Sequence, residues 1–241
     1  MTTIDIPRVT PPGTSSLPSF DPRKVPIVGA DEAALPAVPQ ADLRPEALRA
    51  RFASPPVWQP ELVQERKFLP DRSPARAAVL IPIVLRGPNA STVLLTERTA
   101  HLSTHSGQVA FPGGKSDPED ADAVATALRE AHEEVGLDPR FVEVIGSLPE
   151  YVTGSSFIIT PVVALIDPAF ELRANPYEVA AAFEVPLAFL MDPAQHRRHA
   201  FEWEGARREW YSMPWQDGAH ERFVWGATAA MLRNLYRFLS A

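Results

Sequence analysis

Between Phe111 and Leu137 the chain reads FPGGKSDPEDADAVATALREAHEEVGL: a glycine pair, a proline-broken acidic loop, then a helix crowded with glutamates. The spacing predicts a helix from Asp122 to Val135. Ala123, Ala127, Leu128, Ala131 and Val135 recur at helical intervals and are available to a core. Asp122 is suited to cap the first turn, and Gly136 to take the left-handed position after the last one. On such a helix Glu130 neighbours both Glu133 and Glu134, and like charges at this spacing cost roughly a few tenths of a kcal/mol per pair. A solvated helix face carrying three ordinary glutamates is one reading. A divalent cation that neutralises them is the other. Carboxylate oxygens suit Mg²⁺ or Mn²⁺, and Gly113 and Gly114 allow a turn that brings a bare backbone carbonyl close to the same ion.

The rest of the chain is read around this element. AAVLIPIVL from Ala77 and TVLLTER, joined by RGPNAS, read as paired strands. QVAFPGG is a short strand ending in a glycine turn. FVEVIGSL and FIITPVVALI are expected strands, and EVAAAFEVPL fits a strand or a helix. HAFEWEG, REWYSM and ERFVWG look like an antiparallel ribbon, and ATAAMLRNLYRFLSA like an amphipathic helix. ADLRPEALRARFA (41–53) reads as a short helix capped by Asp42. Strands on both sides of a central helix, with a second helix at the end, imply an α/β/α sandwich around a mixed sheet. Of 26 prolines, eight fall in residues 1–40. That segment is expected to be an extended arm outside the packed domain of residues 41–241.

Composition narrows the chemistry. With no cysteine there is no disulfide, thiolate metal site or cysteine nucleophile. No apolar run approaches the length of a membrane span and the N-terminus lacks a secretory pattern, so a cytoplasmic location is expected. A net charge of −7 argues against nucleic acid or an acidic membrane as a partner. A small anionic substrate remains compatible if local cations receive it. The composition leaves a homodimer open.

The acidic stretch resembles the box of the Nudix hydrolases: glycine, five residues, glutamate, seven residues, then Arg-Glu-aliphatic-any-Glu-Glu-any-Gly-aliphatic. Arg129, Glu130, Ala131, His132, Glu133, Glu134, Val135, Gly136 and Leu137 follow the second half, with alanine at the aliphatic position. In the first half Gly114 leads to Asp120 instead of glutamate, with one extra residue before Arg129. Asp120 or Asp122 therefore replaces a glutamate that is mainly structural in the family. The resemblance implies an α/β Nudix-type α/β/α sandwich and metal-dependent hydrolysis of a nucleoside diphosphate linked to another moiety. It implies Glu130, Glu133 and Glu134 as Mg²⁺ or Mn²⁺ ligands, with the Gly114 carbonyl as a further one. Arg129 either orients Glu133 or forms an ordinary surface pair with it.

Upstream, LLTERTAHLSTHSGQVAFPGG (94–114) is similar to the signature preceding the box in the coenzyme A pyrophosphatase subgroup. Leu94, Leu95, Thr96, Arg98, Gly107 and Phe111 to Gly114 match in register. Thr99 replaces serine or alanine, and Ser103 stands where the subgroup has a second arginine. The implied reaction cleaves coenzyme A to 3′,5′-ADP and 4′-phosphopantetheine. The alternatives are ADP-ribose, NADH or a nucleoside triphosphate as substrate, or a non-catalytic sensing module. Arg98, Gln108 and Lys115 are candidate substrate contacts. His101 and His105 read as ordinary polar residues. Glu150 and Glu178 are equal candidates for an additional carboxylate, acting as base or ligand. Trp203, Trp210, Trp215 and Trp225 read as core packing rather than a stacking platform for adenine.

Overall fold

The computed structural model describes residues 8–9, 21–29, 34–65, 73–99, 107–203 and 205–241. In chain order the strands are β1 (Arg8–Val9), β2 (Ala75–Leu85), β3 (Ser91–Arg98), β4 (Val109–Ala110), β5 (Gly113–Lys115), β6 (Val142–Ser147), β7 (Tyr151–Val152), β8 (Phe157–Ile166), β9 (Val179–Pro186), β10 (Arg197–Trp203), β11 (Ala206–Asp217) and β12 (His220–Trp225). The helices are α1 (Pro45–Ala53), α2 (Ala123–Val135), α3 (Leu187–Leu190) and α4 (Gly226–Leu239).

β2 is the axis of the main sheet. It runs parallel to β8 on one side and antiparallel to β3 and β5 on the other. β6 and β7 extend the sheet from β8, while β4 and β9 pair with β3. The period-two alternation of these strands sends two sets of side chains to opposite faces. Ala78, Leu80, Val84, Leu94, Val162, Ala164 and Ile166 pack with Ala127, Ala131 and Val135 of α2. Ile81, Ile83, Val93, Leu95, Val163 and Leu165 pack with Leu232, Leu235 and Tyr236 of α4. The result is the expected three-layer α/β sandwich. β10, β11 and β12 form an antiparallel meander, with β1 parallel to β10 at its edge.

Several local expectations change. The helix near residue 41 begins at Pro45, the favoured first position for proline, and Arg44 precedes it without a side-chain cap. Asp42 instead lies in a 3-10 turn over Gln40–Leu43. EVAAAFEVPL is strand β9 running into α3. α4 is amphipathic as expected, but its polar face is covered as well: every residue from Thr228 to Leu239 except Arg237 is buried. One side faces the sheet and β11 meets another. Asn234 anchors the segment before β2, its Oδ1 accepting from the amides of Glu61 (3.0 Å) and Leu62 (3.1 Å).

The proline-rich arm is packed in part. Val25 and Val28 are buried. The Val28 amide donates to the Arg198 carbonyl (2.7 Å), and His199 Nδ1 meets the Val25 carbonyl (2.8 Å). Proline density disfavours a regular element, but it does not prevent isolated valines and amides from completing the edge of β10. Of the ribbon tryptophans, Trp215 packs against the core, while Trp210 and Trp225 are half-buried and meet edge-on. Trp210 stacks on His199 and Trp215 packs edge-on against Phe189. The Trp203 side chain lies outside the described residues. No helix among the described residues is long and apolar enough to cross a membrane.

Candidate active site

The acidic helix is fixed at both ends by its own sequence. Asp122 accepts from the Ala125 amide (2.8 Å), and Gly136 adopts φ 69°, the left-handed conformation that glycine takes without a Cβ penalty. The loop after β8 then grips its C-terminus: the Arg173 amide donates to the Val135 carbonyl (2.9 Å) and the Asn175 amide to that of Glu134 (2.8 Å).

Arg129 organises the acids in front of the helix. Its Nε and Nη2 donate to the two carboxylate oxygens of Asp120 (3.0 and 2.9 Å), a bidentate geometry. Nη1 donates to Glu130 Oε1 (2.9 Å) and Glu133 Oε2 (3.2 Å), and Nη2 also reaches the Lys115 carbonyl (3.1 Å). Arg129 is therefore more than a surface partner of Glu133. Asp120 further accepts from the Asp117 amide (2.9 Å) and from Thr126 Oγ1 (2.9 Å). The hydrogen bonds from Arg129, then that amide, hold its carboxyl far below the usual range. Of the two aspartates left open by the sequence, Asp120 holds the arginine and Asp122 caps the helix.

Glu130 and Glu134 face inward. A Cβ on Gly114 would come within 2.5 Å of the Glu130 carboxylate, so the second glycine of the pair leaves the room this side chain occupies. Burial raises the Glu130 carboxyl despite Arg129. Glu134 is buried, and its Oε2 accepts from the Gly113 amide (3.3 Å) while Oε1 lies 3.8 Å from Arg98 Nη1. Burial dominates and pushes its carboxyl up to about 7, with the charges of Glu130 and Glu178 adding to the rise. Glu133 is half exposed.

The two extra carboxylates separate clearly. Glu178 acts electrostatically on both Glu130 and Glu134, and Asn175 Nδ2 donates to its Oε1 (3.1 Å). Glu150 forms an exposed ion pair with Arg76 (2.9 Å). Among the substrate candidates, Arg98 lies against Glu134. Lys115 has an exposed side chain and joins the network through its carbonyl. Gln108 packs near Gly226 at the start of α4, and its carbonyl accepts from the Arg98 amide (3.1 Å). His101, Ser103 and His105 lie outside the described residues. Asn175, which sequence reasoning missed, carried no signal beyond its place three residues before Glu178.

Among the described residues, no three His, Asp or Glu side chains stand gathered to hold a metal ion; Arg129 instead draws Glu130 and Glu133 to itself. The donor chemistry nonetheless fits a hard divalent cation. The carboxylates outnumber the two arginines that face them, two of them are desolvated, and a side-chain-free backbone lies against one.

The sequence matches the NUDIX domain over residues 74–211. It is 47% identical over 161 residues to the Uncharacterized Nudix hydrolase NudL of Escherichia coli K12, covering 66% of this chain and 80% of that protein. NudL of Salmonella paratyphi B matches to the same extent. Among solved structures, a C. elegans Ap4A hydrolase binary complex aligns over 46% of this chain and 80% of its own, at 19% identity and TM-score 0.39. RenU, a Nudix hydrolase from M. smegmatis, aligns over 48% and 73%, at 28% identity and TM-score 0.38. The chain belongs to the Nudix hydrolase family.

Proposed function

We propose that this Nudix hydrolase is a divalent-metal-dependent pyrophosphatase acting on coenzyme A or its derivatives, with 3′,5′-ADP and 4′-phosphopantetheine as products. The observation that carries the reading is the position of Arg98. This arginine, matched in the 94–114 signature, lies 3.8 Å from Glu134 of the acidic helix. The two motifs therefore meet in one site.

Glu130, Glu133 and Glu134 would hold Mg²⁺ or Mn²⁺, with the Gly114 carbonyl alongside. The ion, when bound, neutralises phosphoryl oxygens and makes water more acidic. Arg129 and Asp120 keep Glu130 and Glu133 in place. Arg98 offers a guanidinium to the substrate phosphates, for which its planar fork is suited. Glu178, whose Oε1 accepts from Asn175, would be the carboxylate that takes a proton from the attacking water.

The test is a substrate panel with Mg²⁺ and Mn²⁺, products being resolved by chromatography. Coenzyme A should exceed 3′-dephospho-coenzyme A in kcat/KM by about tenfold or more, because a charge-assisted contact to the 3′-phosphate is worth about 1.5–3 kcal/mol. Equal turnover of both, with ADP-ribose cleaved as fast, would replace this reading with a general nucleoside-diphosphate pyrophosphatase. Wild-type protein inactive on every pyrophosphate would leave the sensing module.

A further inference from the structure

We infer that Tyr177 is the stacking platform for the substrate's nucleobase. The inference deepens the proposed function, since it takes the substrate to be an adenine nucleotide joined through a pyrophosphate.

Tyr177 is 84% exposed, and no other aromatic side chain among the described residues is so open. A single exposed apolar side chain ordinarily needs no explanation. Its surroundings distinguish this one. The residue stands in a turn at the edge of the acidic site, with Glu178 following it directly and acting on Glu130 and Glu134. Its carbonyl accepts from Thr99 Oγ1 (3.1 Å), one residue beyond Arg98, which faces Glu134. Its turn is thus tied both to the strand that carries Arg98 and to the end of the acidic helix.

That backbone is also fixed. The Tyr177 amide donates to Asn175 Oδ1 (3.1 Å), and the Asn175 carbonyl closes the turn by accepting from the amides of Glu178 (3.1 Å) and Val179 (2.8 Å). Asn175 is in turn bound to the end of α2 through its own amide. The ring therefore projects from an ordered turn. Binding a planar base against it requires little further ordering of the main chain, which is where preorganisation raises affinity. The tryptophans that might otherwise serve are engaged elsewhere: Trp210 with His199 and Trp215 with Phe189. A ring in this place can take one face of the adenine while Arg98 and the acidic helix meet the pyrophosphate.

The experiment compares wild type with Tyr177→Ala, Tyr177→Phe and Tyr177→Trp. Adenosine 3′,5′-bisphosphate and 4′-phosphopantetheine serve as separate probes of the two halves, bound with Mg²⁺ and without turnover. Stacking of one base predicts that Tyr177→Ala weakens the bisphosphate about tenfold to a hundredfold. It should leave 4′-phosphopantetheine binding where it was, and Phe and Trp should restore the bisphosphate. In turnover the same Ala variant should raise KM far more than it lowers kcat. Unchanged bisphosphate affinity in Tyr177→Ala, with an unchanged melting temperature, would overturn the inference. So would a wild type that binds no adenine nucleotide. Wild type that binds the bisphosphate but cleaves no pyrophosphate would instead overturn the proposed function and leave the platform standing.

Discussion

Two arginines, Arg129 on α2 and Arg233 on α4, each sit at the centre of a polar network, and the networks are built to opposite ends. Arg233 is almost fully buried. Its Nε donates to Glu61 Oε2 (2.8 Å), its Nη1 meets His196 Nδ1 (3.1 Å), and its guanidinium lies over the rings of Tyr211 and Tyr236. Tyr211 donates to the other Glu61 oxygen (2.7 Å), and His196 Nε2 meets the Leu190 carbonyl (2.8 Å). Burial lowers the His196 imidazole to about 4, so it is neutral and serves as acceptor to the arginine. Arg129, in contrast, faces Asp120, Glu130 and Glu133, with Glu134 and Glu178 close behind. The α4 network is closed and lacks surplus negative charge. The α2 network holds more carboxylates than cations, which costs stability unless another cation arrives. Such a surplus is what the proposed metal site would use.

The largest expected effect breaks the open network. Glu134→Gln keeps the shape and removes the charge, so turnover at saturating Mg²⁺ should fall by orders of magnitude. Stability should move the other way. Glu134 titrates near 7 in the folded chain and near the ordinary 4.5 in the unfolded one, so its contribution is intact below about pH 4.5. It is lost as pH rises through 7. The variant does not titrate there. In chelator at pH 8 it should be more stable than wild type by on the order of 3 kcal/mol, and the gain should vanish near pH 4. Urea melts at the two pH values check this. A destabilised variant at pH 8 would show that Glu134 belongs to a closed network after all.

The second breaks the closed one. Arg233→Met should cost about 3–5 kcal/mol, because it leaves Glu61 and His196 without their buried partner. Glu61→Gln in the same chain should recover part of the loss, and kcat of the folded enzyme should hardly change. The pH signature is the reverse of that at Glu134. Burial raises the Glu61 carboxyl, but hydrogen bonds from Arg233 and Tyr211 and the charges of Arg233 and Arg237 outweigh it and set it below its usual range. Its stabilisation is therefore present above about pH 4.5 and lost as pH falls through the folded value. A loss under about 1 kcal/mol in Arg233→Met, or a collapse in kcat, would erase the distinction between the two arginines.

This contrast also explains what the sequence disclosed. The acidic helix was legible because its parts are local. Cap, core positions, arginine and glutamates lie between Asp122 and Gly136, and helical geometry alone brings them together. Glu61 and Arg233 are 172 residues apart, and nothing in either neighbourhood announces a partner. For the same reason nothing in α4 discloses that its polar face, Arg233 and Asn234, is covered by the segment before β2. Glu150 and Glu178 were equivalent in sequence, and it is the pairing of β9 with β3 and the bond from the Asn175 amide to the Glu134 carbonyl that bring Glu178 beside the site. In the arm, composition reports the lack of a regular element but not the few valines and amides, such as Val25 and Val28, that a strand edge accepts.

The smallest expected effect separates two aspartates within α2's own entrance. Asp120 and Asp122 are two residues apart, and both could replace the glutamate of the family's box. Asp120 binds Arg129 with both oxygens, so its effect should reach Glu130 and Glu133. Asp122 accepts from a single amide, that of Ala125. Asp122→Ala should therefore cost only the cap, about 1 kcal/mol of stability, and Asp122→Ser should restore it because a hydroxyl can accept the same bond. Turnover and Mg²⁺ dependence should stay at wild-type values in both. Asp120→Asn loses the charge that answers Arg129 and should shift the Mg²⁺ concentration needed for half-maximal activity. Titrating Mg²⁺ against all three variants at one pH measures the split. If Asp122→Ala moved the Mg²⁺ requirement as far as Asp120→Asn, the cap would be part of the metal site, and the boundary between the folding and catalytic roles of α2 would lie one turn earlier.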